Sequence, residues 1–253
     1  MELKSRVTIL VKASPQPSKS HQETVCCAGL DPNGDWKRLF PVRFRHLQDE
    51  QSFKRWSVVE FEYSRPTRDA RLESCRVHEE SIHVIAQVTD RDKRSRLVSP
   101  VIVASEVEAA NRGQSLAAIR PTDVELLCRK RDVSEIEEAR AAFEAQARQA
   151  SMFDKELDVI EPCPYEFKMS FLDGDGKRRN KLCGDWETQA AFFNLKRSYG
   201  EESAIKHLRE TYCEKYVSTG IVFALGNMAS RPQTWQLLGI FSLPEPPQLS
   251  LFS

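Results

Sequence analysis

Four carboxylates fall within one short stretch: Asp173 and Asp175 at a glycine-rich turn, then Asp185 and Glu187 on either side of Trp186. Acids so close together are the material of a metal-dependent nuclease, with Asp185 and Glu187 as its most enzyme-like pair. The same two acids at the start of a helix also do what capping and dipole compensation ask for. The Asp-Gly-Asp-Gly tip at 173–176 lacks the full spacing of a calcium loop and reads as an ordinary turn. No nucleophile elbow, phosphate loop, His-Glu pair or Cys-His arrangement accompanies these acids, so no catalytic residue is assigned. Seven cysteines, without a Cys-x-x-Cys pair, fit reduced thiols in a cytosolic protein. A zinc site from Cys163 and Cys183 would need two distant partners, and neither metal nor cofactor is expected.

Binding chemistry is better represented. Basic and aromatic side chains interleave at Trp36, Lys37, Arg38, Phe40, Arg43, Phe44 and Arg45, and Lys54, Arg55 and Trp56 add to them. Cations that track phosphates and rings that stack on bases are what a nucleic-acid surface needs. In a strand, Trp36, Arg38 and Phe40 share one face and Lys37 and Leu39 the other, so only part of the set can meet a ligand. The competing reading puts Trp36 and Phe40 in a core and the arginines in salt bridges. Two further basic runs, residues 91–96 in a loop between strands and Lys177, Arg178, Arg179 and Lys181 on one arm of a hairpin, offer phosphate contacts.

The chain ends on Gln248-Leu249-Ser250-Leu251-Phe252-Ser253 behind the stiff run Leu243-Pro244-Glu245-Pro246-Pro247. Prolines hold such a peptide extended, so little conformational entropy is lost on docking. Gln248, Leu249, Ser250, Leu251 and Phe252 resemble the clamp-binding motif of bacterial replication and repair proteins. That resemblance implies the DNA polymerase III β sliding clamp as partner, with Leu251 and Phe252 as apolar anchors and Gln248 hydrogen-bonding at the pocket rim. The alternative is a terminal strand or staple on the domain. A weaker string of the same kind, Gln149-Ala150-Ser151-Met152-Phe153, lacks the first leucine.

These residues need a scaffold. A chain of 253 residues with 40% hydrophobic and 29% charged residues buries a real core in one large or two small domains. Lysine plus arginine equals aspartate plus glutamate at 37 each, so any nucleic-acid site is a local patch. No apolar run is long enough to span a membrane, and the N-terminus is not a signal peptide, which predicts a cytoplasmic protein, associated with the nucleoid through the clamp.

The hydrophobic pattern predicts strands at 7–11, 24–30, 36–40, 58–63, 84–88, 124–128, 165–171, 177–183, 221–226 and 235–241. Asp31-Pro32-Asn33-Gly34-Asp35 makes a hairpin of the second and third. Ser134 and Glu137 form a capping box for an alanine-rich helix to about Gln149. Asp185 caps a helix with Trp186, Ala190 and Phe193 on one face, and residues 201–216 carry Ile205, Leu208 and Tyr212 on another. The fold class is mainly β with α insertions.

Residues 24–30, 36–45 and 53–56, Ser115-Leu116 with Arg120-Pro121, Asp185-Trp186-Glu187 and 235–241 resemble the dual OB-containing domain proteins of bacteria and archaea. The resemblance implies two OB-like barrels in tandem, at 1–120 and 121–242, with a flexible tail at 243–253. An OB barrel implies an oligonucleotide or protein ligand. The expected function is therefore a clamp-recruited protein of DNA replication, repair or anti-phage defence. It binds nucleic acid, single-stranded DNA above all, or recruits a companion protein; a nuclease using Asp185 and Glu187 is the other expectation.

Overall fold

The structure, a computed structural model, describes residues 2–15, 25–47, 50–67, 69–150 and 160–245. Residues 248–252 and most of the second clamp-like string, from Ser151 to Phe153, lie outside them. No helix among the described residues is long and apolar enough to cross a membrane.

The first half contains β1 (Leu3–Lys12), β2 (Val25–Leu30), β3 (Trp36–Val42), β4 (Ser57–Ser64), β5 (Ser74–Val77) and β6 (His83–Gln87). They run in the order β1-β2-β3-β5-β4-β6, and a further β1–β4 ladder closes the first five into a barrel. All its pairings are antiparallel except β3 with β5. Closure follows from β4, where Ser57, Val59, Phe61 and Tyr63 point inward and Val58, Glu60 and Glu62 alternate outward. Val7, Ile9, Cys27, Leu39, Val59 and Phe61 fill the interior. The β2–β3 hairpin turns where Asp31 Oδ1 accepts from the amides of Asn33 and Asp35, with Gly34 at φ +85°.

The helix α1 (Arg91–Val98) follows β6. By composition this basic run is a loop. That tendency is overridden by Asp90, whose side chain accepts from the amides of Asp92 and Lys93 and caps the helix, while Ser95 and Val98 are buried. The helix α2 (Glu106–Asn111) then leads into the second half.

The second half holds β7 (Leu116–Ile119), β8 (Thr122–Lys130), α3 (Val133–Ala150), β9 (Tyr165–Leu172), β10 (Arg178–Leu182), α4 (Trp186–Tyr199), α5 (Glu201–Arg209), α6 (Tyr216–Thr219), β11 (Ile221–Met228) and β12 (Arg231–Ser242). A π-helical turn, Glu210–Lys215, joins α5 to α6. The alanine-rich helix starts two residues earlier than expected. Asp132 and Glu135 form its capping interaction, the Asp132 amide donating to Glu135 Oε2 at 2.9 Å. Along α4 the fully buried ring is Phe192, and Phe193 is only partly buried against the same core.

The expected second ring is not closed by strand ladders. The strands form two three-stranded sheets, β10-β9-β8 and β12-β11-β7. They are joined covalently at Arg120-Pro121 between β7 and β8, and by one parallel bridge between Cys183 and Leu237. Proline cannot donate to a ladder, which accounts for the break between β7 and β8. Phe167, Met169, Phe171, Phe192 and Phe223 pack between the sheets and helices, with Phe171 and Phe223 edge to face at 5.0 Å.

A third core lies between the halves. Leu10, Leu30, Trp36 and Trp56 of the first half meet Leu116, Val222, Leu238 and Phe241 of the second. The two halves are one packed body.

Candidate nucleic-acid interface

The seam between the halves decides which of the expected binding residues can meet a ligand. Trp36 and Arg38 are turned into it, at 7% and 4% exposure. Arg38 Nη2 donates to the Ser115 carbonyl at 3.0 Å, and Ser115 also donates its amide to Glu73 at 2.9 Å. Strand alternation does place Trp36 and Arg38 on one face, and there the second half covers them, whereas Phe40 further along the strand is 38% exposed. Lys37 pairs with Asp31 at 3.3 Å and Arg43 with Glu79 at 2.7 Å. Arg45 lies half-buried in a short 3-10 turn, Phe44–His46.

On the β9–β10 hairpin, Arg179 is tied to Asp173 at 2.7 Å and Arg178 to Asp123, while Lys177 is exposed at the tip. Asp173 Oδ1 accepts from the amides of Asp175 and Lys177, so the Asp-Gly-Asp-Gly tip is held as a turn by its own first aspartate. Apart from Lys177, the residues expected to touch phosphate on β3 and on this hairpin are spent on internal partners or buried.

Asp185 and Glu187 are likewise committed. Asp185 is 1% exposed; both its oxygens accept from Arg55 Nη2 at 3.0 Å, Oδ1 also from the Glu187 amide and Oδ2 from the Ile240 amide. Burial pushes this carboxyl up, and the Arg55 guanidinium opposes the shift. With its oxygens filled by an arginine and two amides, Asp185 serves the seam and the cap of α4. Among the described residues no group of three His, Cys, Asp or Glu could hold a metal ion. Cys163 and Cys183 sit in the second half's core, and burial pushes the Cys183 thiol up to about 12.

Where the seam reaches the surface it opens into a cleft of about 480 Å³. Its walls come from five places that sequence order keeps apart: the segment 54–56, α1, the start of α4, the chain from the π-helical turn into α6, and the end of β12. Lys54, Arg91 and Lys215 stand exposed on it, and none forms an ion pair with a described carboxylate. Arg94 lays its guanidinium over the Trp56 ring at 4.8 Å and donates to the Val88 carbonyl at 2.8 Å. Burial and the neighbouring Arg91 hold Arg94 below the usual arginine range.

Arg55 forms the inner wall. Its guanidinium lies 5.5 Å from the Phe241 ring centroid. Glu187 is the one acid on the cleft among the described residues, 3.3 Å from Arg55 and 3.8 Å from Lys12. Trp56, the ring between the cations, holds φ +71°, a left-handed conformation that a bulky aromatic adopts only when its surroundings enforce it. Tyr216 lines the far side, placed there by the π-helical turn, a distortion that recurs at functional sites. Lys54, Arg55, Trp56 and the 91–96 run are visible in the sequence as basic segments. Lys215 and Tyr216 are not, because nothing in a helix's sequence announces that it opens onto another domain's loop.

Residues 99–253, more than half the chain, match the family described as Domain of unknown function (DUF8757). The chain belongs to that family. Residues 3–100 match a second, Domain of unknown function (DUF8758). No curated protein matches the chain. The DUF8758 match covers the barrel and α1. The DUF8757 match begins ahead of β7, which pairs with β11. The cleft is therefore shared, Lys54, Arg91 and Arg94 coming from the DUF8758 half and Glu187, Lys215 and Tyr216 from the DUF8757 half.

Proposed function

We propose that this protein is a two-barrel OB-like module that binds single-stranded nucleic acid in the cleft between its halves and is brought to the sliding clamp by Gln248, Leu249, Ser250, Leu251 and Phe252. The observation that carries the reading is the imbalance of the cleft: four cations without a described carboxylate partner, Lys54, Arg91, Arg94 and Lys215, against a single acid, on a chain with no net charge. Unpaired cations gathered at one place are an electrostatic footprint for a polyanion.

The OB-like assignment rests on strand order. A five-stranded barrel closed as β1-β2-β3-β5-β4, with β3 and β5 parallel, has the Greek-key arrangement of that fold. The second half follows the same path when β7 and β8 are taken as one strand broken at Pro121, with β9, β10, β12 and β11 in turn and α4 to α6 inserted before β11. The sheet face that usually serves an OB barrel is spent here on the seam, which moves the ligand to its rim. A tail that tethers the protein to an encircled strand raises the local concentration and makes modest affinity sufficient.

The test is a fluorescence-anisotropy titration with a labelled oligothymidylate at several salt concentrations, alongside clamp capture by the intact chain and by one lacking residues 248–253. Saturable binding that weakens with salt, and clamp retained only by the intact chain, support the reading. Absence of binding at low salt removes nucleic acid as the ligand and leaves a companion protein in its place.

A further inference from the structure

Glu187 occupies an unusual position for a lone acid. It sits on the wall of a cationic cleft, its side chain 37% exposed, reaching Arg55 at 3.3 Å and Lys12 at 3.8 Å. Arg55 does not need it: Asp185 already neutralises the guanidinium and the Ile240 carbonyl accepts from it. Arg55 even keeps a donor in reserve, since its buried Nε–H has no acceptor among the described residues. The Glu187 carboxylate thus lies where an external anion would lie.

The rings of the cleft are unequal. Trp56 and Phe241 are 7% and 3% exposed, the first beneath Arg94 and the second beneath Arg55, so neither offers a face. Tyr216 is half-buried and meets Tyr212 edge-on at 5.6 Å. Of the three it alone has surface left to stack on a base.

We infer that the cleft takes one nucleotide step of a single strand, with the base against Tyr216 and the phosphates on Lys54, Arg91 and Lys215, and that Glu187 is a resident counter-ion which the strand displaces from Arg55. The inference rests on the proposed nucleic-acid function and adds its stoichiometry and its brake. A duplex, with its bases stacked inside, cannot present one to Tyr216. Asp92 and Glu245 line an adjoining cleft that shares Arg91, and their charge disfavours a strand there, leaving it the cleft that Lys54 lines.

The experiment compares binding of a fluorescent oligothymidylate and of the matching duplex by the wild-type chain, Glu187→Gln, Tyr216→Ala and Tyr216→Phe, each verified as folded by its thermal transition. Removing the competing charge is expected to tighten single-strand binding about tenfold. Tyr216→Ala is expected to weaken it about tenfold, and Tyr216→Phe to restore it, because stacking needs the ring and not the hydroxyl. If the wild type binds while Glu187→Gln leaves affinity unchanged or lower, Glu187 is not a competitor. If duplex binds as tightly as single strand, or Tyr216→Ala binds like the wild type, the one-nucleotide site is wrong although nucleic acid remains the ligand. If no variant and no wild-type chain binds, the proposed function falls together with this inference.

Discussion

Arg55 and Asp185 stand 130 residues apart in the chain and form an ion pair, buried at the seam between the halves, in which Arg55 Nη2 reaches both carboxylate oxygens at 3.0 Å. Each end is tied further to the second half's last strand, Arg55 donating to the Ile240 carbonyl and Asp185 accepting from the Ile240 amide. Asp185→Asn removes the buried counter-charge of Arg55 and leaves it only Glu187, at 3.3 Å and part-exposed, and loss of one partner of a buried pair costs about 3–5 kcal/mol. Urea denaturation measures it; a variant of wild-type stability that has lost a magnesium-dependent cleavage would instead restore Asp185 to a catalytic role.

Lys54→Ala combined with Arg91→Ala removes two exposed cations that have no described carboxylate partner, so the fold is expected to be unchanged. Single-strand affinity should fall, and the slope of log affinity against log salt should flatten by about 0.7 for each phosphate no longer neutralised. The same substitutions at Arg178 and Arg179, which are held by Asp123 and Asp173, should leave that slope unchanged.

On the proposed reading of the tail, Leu251→Ala with Phe252→Ala should abolish capture of the sliding clamp and leave the thermal transition of the body where it is. Clamp binding at wild-type strength would remove the tail from the account.

Acid should loosen the seam at a defined place. Burial alone would push the Asp69 carboxyl up, but hydrogen bonds from Arg71 and Ser74 bring it down to about 2. Arg71 in turn donates to the Asn227 carbonyl of the second half at 2.9 Å. A carboxylate lowered on folding stabilises the protein above its unfolded pKa, and that share is lost as pH falls from about 4 towards about 2. Asp69→Asn should be less stable at neutral pH and show a shallower loss across that window in denaturation curves taken at stepped pH.

Four thiols should be silent. Cys27, Cys75, Cys163 and Cys183 are buried, and burial raises all four, Cys75 and Cys163 to about 11 and Cys183 to about 12. Because the thiolate is the reactive form, Ellman's reagent should reach them only after denaturant is added.

The strands are legible in the sequence because alternation and β-branched runs carry them: the pattern at 58–63 is realised as β4, and the Asp-Pro-Asn-Gly turn joins β2 to β3. β5 escapes such a reading, because Ser74-Cys75-Arg76-Val77 is short and its burial is supplied by the barrel it closes. α1 reads as a loop, because five of its eight residues are charged and only its cap and two buried positions make it a helix. The residues of the candidate interface are half legible. Composition shows that the stretch around Trp36 and Arg38 is basic and aromatic; which way these two face depends on the second half, and no local pattern encodes that.

The seam also bears on what each half is by itself. Cut at residue 99 or 100, the first piece would present Leu10, Trp36 and Trp56 around an unneutralised Arg55, and the second Leu238 and Phe241 around an unneutralised Asp185. Each would be an aggregation-prone surface with a stranded charge at its centre. In this chain each matched region is therefore the cover of the other's seam face.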